Sequence, residues 1–182
     1  MTGPPQTLTI RAAVVDDAPA IVAAHIGGWQ WAYRGQMPDE FLDGLTETAS
    51  QREAALRERL SRPWGEQRTW VAELDGRVVG FAQTGPAFGP CSENLPPHTA
   101  ELYTIYLTQE AAGKGIGRAL MARSVDELRA QGFRHAILWV LASNARARRF
   151  YEAAGWRLDG TTKTETRWNI ELNELRYTRD LG

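Results

Sequence analysis

Apolar and polar residues alternate along several short stretches of the chain, and this period of two predicts strands. In residues 8–15, for example, Leu8 and Ile10 alternate with Thr9 and Arg11. Apolar alternation, or a short continuous apolar run, predicts seven strands in all: residues 8–15, 69–74, 77–84, 100–107, 134–141, 157–161 and 170–177.

Apolar residues three or four positions apart predict helices between these strands. The first helix begins at a cap formed by Asp16 or Asp17 and runs towards Trp29. Gly27 and Gly28 are expected to loosen or end it, because glycine is a poor helix former. The remaining helices are a short one begun by Pro38, and longer ones over 46–60, 116–131 and from Ser143 or Asn144 to Gly155.

Two further features complete the predicted architecture. Asp75 and Gly76 separate two predicted strands and suit the positive φ angles of a type I′ turn, so a hairpin is expected there. The long elements then follow the order β-α-α-β-β-β-α-β-α-β-β. This mixed order predicts an α/β fold of the mixed α+β type, with one twisted sheet of about seven strands and helices on both faces. The length fits a single domain over residues 1–182, with residues 1–6 as a loose tail.

Composition excludes several classes of protein. With 21 Lys and Arg against 22 Asp and Glu, the net charge of -1 argues against a general nucleic-acid binder. The single cysteine, Cys91, excludes an intrachain disulfide framework and a multi-cysteine metal site. No stretch is apolar enough to span a membrane, and the N-terminus lacks the features of a secretory signal. We therefore expect a cytoplasmic protein without a membrane or nucleic-acid partner.

Charge is unevenly distributed along the chain. Residues 112–149 contain eight basic and two acidic residues, so this segment is strongly positive within a slightly acidic protein. A bound polyphosphate would favour such a segment. Solvated helix faces are the alternative explanation.

Three glycines at alternate positions, Gly113, Gly115 and Gly117, join the strand 100–107 to the helix 116–131. Glycines allow the backbone to approach a ligand, and the unpaired N–H groups at a helix start attract anions, so this loop predicts a phosphate site. A P-loop would need Ser or Thr after the lysine, and a dinucleotide fold would need G-x-G-x-x-G; neither pattern is present. A glycine-rich turn without a ligand is the alternative.

This stretch resembles the cofactor signature [QR]-x-x-G-x-[GA] of the GCN5-related N-acetyltransferase (GNAT) superfamily. Gly115 and Gly117 match the signature, whereas Ala112 stands where the family has Gln or Arg. A second block resembles the family's strand, Asn and A-x-x-F-Y segment: residues 137–141, Asn144, Ala147, Phe150, Tyr151, Gly155 and Trp156. The specific match covers residues 100–156.

The resemblance implies an enzyme that transfers an acetyl group from acetyl-CoA to a primary amine by direct attack in a ternary complex. It implies no metal. The residues it places on the cofactor are Ile105, Leu107, Ala112, Gly113, Lys114, Gly115, Ile116, Gly117, Arg118 and Asn144. A CoA-binding or CoA-sensing module of the same fold without catalysis is the alternative function.

The resemblance also implies catalytic residues. Tyr151 matches the family's usual general acid, which protonates the departing thiolate; a core aromatic is the alternative. Glu101 is the candidate general base, acting through water, and alternation along its strand places Tyr103, Ile105 and Leu107 on the same face. A solvated carboxylate is the alternative for Glu101, and His98 is the reserve base.

The acceptor is expected to be a small-molecule amine or a peptide N-terminus. In this family the first helices and the loop before the cofactor strand select it, which here means residues 27–34 and 85–99. The candidate acceptor-binding residues are Trp29, Tyr33 and Glu101, although the aromatic pair could equally be core anchors. The resemblance also suggests a homodimer, because the final strands often pair between subunits in this family.

Overall fold

The computed structural model describes residues 6–62, 65–89, 94–167 and 169–182. Residues 1–5 of the expected tail and Cys91 lie outside the described residues. The strands are β1 (Leu8–Ala12), β2 (Arg68–Leu74), β3 (Arg77–Pro86), β4 (Thr99–Leu107), β5 (His135–Leu141), β6 (Arg157–Arg167) and β7 (Ile170–Asp180). The α-helices are α1 (Ala18–Tyr33), α2 (Asp39–Gly44), α3 (Ala49–Ser61), α4 (Ile116–Ala130) and α5 (Ala145–Ala153).

All seven strands form one sheet in the order β1-β2-β3-β4-β5-β7-β6. Neighbouring strands are antiparallel except β4 and β5, which run parallel. This parallel pair is short, because only residues 99–101 of β4 are in register with residues 135–137 of β5. The predicted mixed fold is confirmed, and the six-residue α2, which follows Pro38, is the short helix predicted between β1 and β2.

Helices cover both faces of the sheet, as the burial of alternate strand residues requires. On one face, α4 packs its apolar stripe against residues such as Ala72 and Leu102. On the other face, α1, α2 and α3 pack against residues such as Val71 and Phe81. We call these the α4 face and the α1 face.

A β-bulge interrupts the pairing of β3 with β4. Gln83 of β3 is in register with Thr104, whereas the next residue, Thr84, is in register with Leu102. Tyr103 is therefore the extra residue on β4. Such a bulge shifts the side-chain alternation by one position from this point onward.

This shift corrects the face expected for Glu101. Ile105 and Leu107 pack on the α4 face together with Leu102, and Glu101, one residue from Leu102, points to the α1 face. The expectation that Glu101, Tyr103, Ile105 and Leu107 share one face is wrong, because simple alternation does not continue across the bulge.

The first helix is longer than expected. Helix α1 continues through Gly27 and Gly28 to Tyr33, so the expectation that this glycine pair ends it is wrong. A Cβ at position 28 would lie 2.6 Å from Cδ1 of Tyr106. Gly28 therefore allows α1 to pack closely against β4, and this tertiary contact outweighs the low helix propensity of glycine.

Two local predictions are confirmed. Asp75 and Gly76 have φ angles of 50° and 77°, as a type I′ turn requires. The side chain of Asn144 caps α5 by accepting a hydrogen bond from the N–H of Ala147 at 3.0 Å. No helix in the described part of the chain is long and apolar enough to cross a membrane.

Candidate functional site

The sheet opens between β4 and β5. Beyond their short parallel register, residues 102–107 of β4 pair only with β3, and residues 138–141 of β5 pair only with β7. The two strands therefore separate, and the carboxyl end of the pair becomes a cleft.

Main-chain amides of β4 point into this cleft. The N–H of Thr108 donates to the carbonyl of Val79 on β3 at 2.8 Å. Because successive amides of a strand point in opposite directions, the N–H groups of Leu107 and Ile105 point away from β3 and towards the gap. These are the two amides that the sequence predicted at the cofactor.

The glycine loop holds a row of unpaired donors. Gly113 and Gly115 have φ angles of 78° and 81°, a region that favours glycine. Among the described residues, none accepts a hydrogen bond from the main-chain N–H groups of 113–117. The N–H of Arg118 differs, because it donates to the carbonyl of Gly115 at 3.1 Å as α4 begins. Five free donors thus meet at the positive end of the α4 dipole.

A cavity of about 510 Å³ lies between this loop and the separated strands, and we call it the glycine-loop cavity. Most residues predicted to bind the cofactor line it: Ile105, Leu107, Ala112, Gly113, Gly115, Gly117, Arg118 and Asn144. The side chains of Lys114 and Ile116 do not, because Lys114 is exposed and Ile116 is buried in the core.

A contact between two lining residues of this cavity, Arg146 and Trp31, was not predicted from the sequence. The guanidinium of Arg146 lies 3.8 Å from the ring centroid of Trp31, and both side chains line the wall. Trp31 belongs to the aromatic segment that the sequence singled out, whereas Arg146 counted only towards the positive charge of 112–149. The stacked guanidinium places a positive charge on the wall of this cavity.

A second and larger cavity, of about 870 Å³, extends from the strand gap towards α1 and α3, and we call it the central cavity. Tyr151 and Asn144 line both cavities, so the two spaces meet at these residues. Burial raises the pKa of the Tyr151 phenol well above its ordinary value, and the nearby phenol of Tyr33 raises it further. Tyr151 therefore stays protonated at neutral pH.

The predicted acceptor residues line the central cavity. Trp29 and Tyr33 lie one turn apart on α1, with ring centroids 5.0 Å apart. The side-chain amide of Asn144 donates to the phenol oxygen of Tyr33 at 3.4 Å. Both aromatic residues also pack in the core of the α1 face, as the core-anchor interpretation expects, and their role in acceptor binding stays a prediction.

His25 lines the same cavity but is packed among rings. Its imidazole centroid lies 5.1 Å from that of Tyr106 and 6.0 Å from that of Phe81. Burial, together with the charges of Arg52 and Arg59, lowers its pKa to about 4. His25 is therefore neutral at physiological pH.

Glu101 lines a third space, the Glu101 cavity, of about 810 Å³. Burial raises its pKa to about 7, while the charge of Lys163 opposes the shift and that of Glu174 adds to it. Tyr103 and Trp139 line both this cavity and the central one, so the two spaces adjoin. Glu101 thus lines a cavity that adjoins the central one, whereas Tyr151 lines the central cavity itself.

His98 is not part of these cavities. Its ring stacks on Phe133 with centroids 4.4 Å apart, and it lines none of the three spaces. The reserve assignment of His98 as a base is therefore wrong in geometry. Among the described residues, no group of three or more His, Cys, Asp or Glu side chains could hold a metal ion.

Comparison with known sequences agrees with this geometry. A sequence profile of the Acetyltransferase (GNAT) family matches residues 31–156, which include the glycine loop and both separated strands. The chain belongs to the GNAT family. It is therefore an acyltransferase, and the resemblance seen in the sequence is confirmed.

Individual GNAT relatives extend the likeness over most of the chain. The uncharacterized N-acetyltransferase YuaI of Bacillus subtilis is 30% identical over 75% of this chain and 73% of its own length. The probable N-acetyltransferase Rv2775 of Mycobacterium tuberculosis is 28% identical over 88% and 86%. Among solved structures, the PaiA N-acetyltransferase of Thermoplasma acidophilum, in complex with coenzyme A, has a TM-score of 0.74. It is 19% identical and covers 96% of this chain and 99% of its own, which shows the common fold.

Proposed function

We propose that this GNAT protein, as a single catalytic domain, transfers an acetyl group from acetyl-CoA to a primary amine by direct attack in a ternary complex. The observation that carries the proposal is the connection of the glycine-loop cavity to the central cavity at Tyr151 and Asn144. One space is suited to a polyphosphate carrier and the other to an acceptor, and they meet where the β4 amides point. Two substrates could therefore be bound at once.

The chain's free donors fit acetyl-CoA, which supplies the activated acyl group as a thioester. The N–H groups of 113–117 bind the diphosphate at the positive end of α4. Arg146, held on Trp31, adds a positive charge to the same cavity. No glutamine or arginine is needed at position 112, because these contacts come from the main chain.

The amides of Ile105 and Leu107 hold the pantetheine arm in the strand gap. A donor aimed at the thioester carbonyl stabilises the negative charge that develops on its oxygen during attack. The strand fixes these donors before the substrates arrive, so little reorganisation is required. The short pairing of β4 with β5 thus leaves these amides free to bind the cofactor.

Tyr151 serves as the general acid. A general acid must carry its proton when the leaving group departs, and the phenol of Tyr151 is protonated at neutral pH. It donates this proton to the thiolate sulfur as the C–S bond of the thioester breaks. Tyr151 lines both cavities, so its phenol proton lies between the acetyl-CoA and the acceptor amine. Tyr33 and Asn144 hold the neighbouring surface in position by their hydrogen bond.

Glu101 serves as the general base through water. A carboxyl group with a pKa of about 7 is ionised in part at neutral pH and accepts a proton more readily than an ordinary carboxylate. Because Glu101 lines the adjoining cavity, a water chain past Tyr103 and Trp139 is required for the transfer. The acceptor ammonium must lose its proton before it can attack.

The test is release of free thiol from acetyl-CoA in the presence of a panel of primary amines. The proposal predicts turnover that depends on both substrates and a rise in melting temperature with acetyl-CoA alone. Binding of acetyl-CoA without acetylation of any amine would instead support a sensing module. The absence of both binding and turnover would contradict the proposal altogether.

A further inference from the structure

Three arginines of α3 and its C-terminal end line the central cavity: Arg52, Arg59 and Arg62. Arg52 and Arg59 are seven residues apart, which is two helical turns, so they lie on the same face of α3. Arg59 also lines the adjoining Glu101 cavity. The helix therefore presents a row of positive charges to the acceptor side of the site.

These arginines have no acidic partner among the residues that the structure describes. Within the described part of the chain, none of the three forms an ion pair with a carboxylate. Arg52 donates from Nε to Oγ1 of Thr48 at 2.8 Å, which orients its guanidinium and leaves its terminal nitrogens available. Arg57 on the same helix differs, because it lies 3.9 Å from Asp16 and lines none of the three cavities.

The other charges of the central cavity do not cancel this row. Glu174 is offset by Lys163, whose Nζ lies 3.1 Å from its carboxylate. Glu58 also lines the cavity and is exposed, as are Arg59 and Arg62, so one carboxylate of α3 faces three guanidinium groups. His25 is neutral, because burial and, to a lesser extent, the charges of Arg52 and Arg59 lower its pKa to about 4.

We propose that the acceptor is a small primary amine that carries an oxyanion group, a carboxylate or a phosphate-like group, and that Arg59 and Arg52 bind this group. The inference rests on the proposed acetyl transfer and specifies the substrate class of the same site. Guanidinium groups bind carboxylates and phosphates through paired, charge-assisted hydrogen bonds. Bound in this way, the acceptor's amine end faces the strand gap and Tyr151. A diamine or polyamine would instead place a second positive charge against the row.

The first experiment compares amines of matched chain length that differ only in the distal group. The panel contains ω-amino carboxylates, ω-amino phosphonates, alkylamines and diamines, each assayed by thiol release from acetyl-CoA. We expect kcat/KM to be about tenfold or more higher for an anionic amine than for its neutral counterpart. The diamines should be the poorest substrates. The carboxylate and phosphonate series separate the two kinds of oxyanion. A preference for neutral or cationic amines would overturn the proposal while leaving the acetyl transfer intact.

The second experiment uses variants of the row. Arg59→Ala and Arg52→Ala should lower kcat/KM for the anionic amines about tenfold, mainly through KM, with little change for the alkylamines. Arg59→Lys should restore part of the loss. Arg57→Ala, the matched control on the same helix, should change neither. Equal losses for all amines, or the same effect from Arg57→Ala, would contradict a role in binding the anion.

A binding measurement keeps the proposal testable if no amine in the panel turns over. Trp29 and Trp139 line the central cavity, so tryptophan fluorescence of the CoA-saturated protein reports on its occupant. Short carboxylates and phosphonates should bind more tightly than alkylamines, and Arg59→Ala should weaken only the anions. Anions that bind no better than alkylamines would overturn the proposal. Failure of CoA itself to bind would instead count against the proposed function.

Discussion

The ring of Tyr106 on β4 lies so close to Gly28 on α1 that a Cβ at position 28 would be 2.6 Å from Cδ1 of the ring. This contact brings α1 against the strand beside the gap. Trp29 and Tyr33, which follow Gly28 on the helix, are thereby placed on the wall of the central cavity. One glycine thus connects helix packing to the shape of the acceptor site.

Substitution of the two adjacent glycines of α1 should have opposite effects on stability. Gly28→Ala should destabilise the protein by about 1–3 kcal/mol, because the new methyl group overlaps the Tyr106 ring. Gly27→Ala has no atom within 4 Å of its Cβ and should stabilise the helix by about 0.5–1 kcal/mol. Denaturant unfolding of both variants checks this. Equal effects at the two positions would show that the ring does not define the packing.

Substitution in the glycine loop should weaken cofactor binding, and this effect should be separate from any loss of stability. Gly115→Ala adds a methyl group that meets no atom within 4 Å in the free protein but takes space beside the loop where the diphosphate would bind, so it should raise the Kd for acetyl-CoA about tenfold or more. Gly160→Ala is the control, because Gly160 has a similar φ of 86° and open space around it. Both should lose about 1–2 kcal/mol of stability from the left-handed backbone. Calorimetric titration separates them, and equal Kd values would remove the loop from the cofactor site.

Removal of the Tyr151 hydroxyl should affect the chemical step alone. Tyr151→Phe should lower kcat about 10²-fold with little change in the Kd for acetyl-CoA, because only proton donation is lost. Tyr177→Phe is the control: its hydroxyl donates to Glu152 at 2.7 Å, and it lines none of the three cavities. That variant should lose about 1 kcal/mol of stability and keep its kcat. An unaltered rate in Tyr151→Phe would exclude it as the acid.

Glu101 should link both activity and stability to pH. As a base with a pKa of about 7, it should make kcat/KM rise with pH up to about neutrality, and Glu101→Gln should remove this limb. The folded pKa lies above the unfolded value of 4.5, so the protonated carboxyl is favoured in the fold. The protein therefore loses stability as pH rises from about 4.5 to about 7.

The same variant tests the sign of that linkage. The neutral amide of Glu101→Gln avoids the cost of a buried charge. The melting temperature of the variant minus that of the original protein should therefore be larger at about pH 8 than at about pH 5. A pH-independent difference would show that Glu101 is solvated in the folded protein. An unchanged pH profile of kcat/KM would remove it from the mechanism.

Local patterns in the sequence predicted most of the architecture. The turn at Asp75 and Gly76, the cap at Asn144 and the succession of strands and helices along the chain depend on short-range rules, and the structure confirms them. The end of α1 was wrong, because tertiary packing of Tyr106 on Gly28 decides it.

The candidate site was predicted less completely. The glycine loop was found because its free amides follow from local sequence, whereas the faces of β4 depend on the bulge at Tyr103, for which period-two alternation gives no signal. The contact of Arg146 with Trp31 and the arginine row of α3 join residues far apart in the chain. Such contacts are set by the assembled fold rather than by any local pattern.

The most direct test of the account is an amide-resolved NMR titration of the protein with coenzyme A. The N–H groups of 113–117 have no partner in the described chain, so a bound diphosphate should give them new charge-assisted hydrogen bonds. We predict downfield proton shifts for these amides, together with those of Ile105 and Leu107, that saturate at the same concentration. Saturable binding that leaves the 113–117 resonances unmoved, or no binding at all, would contradict the account.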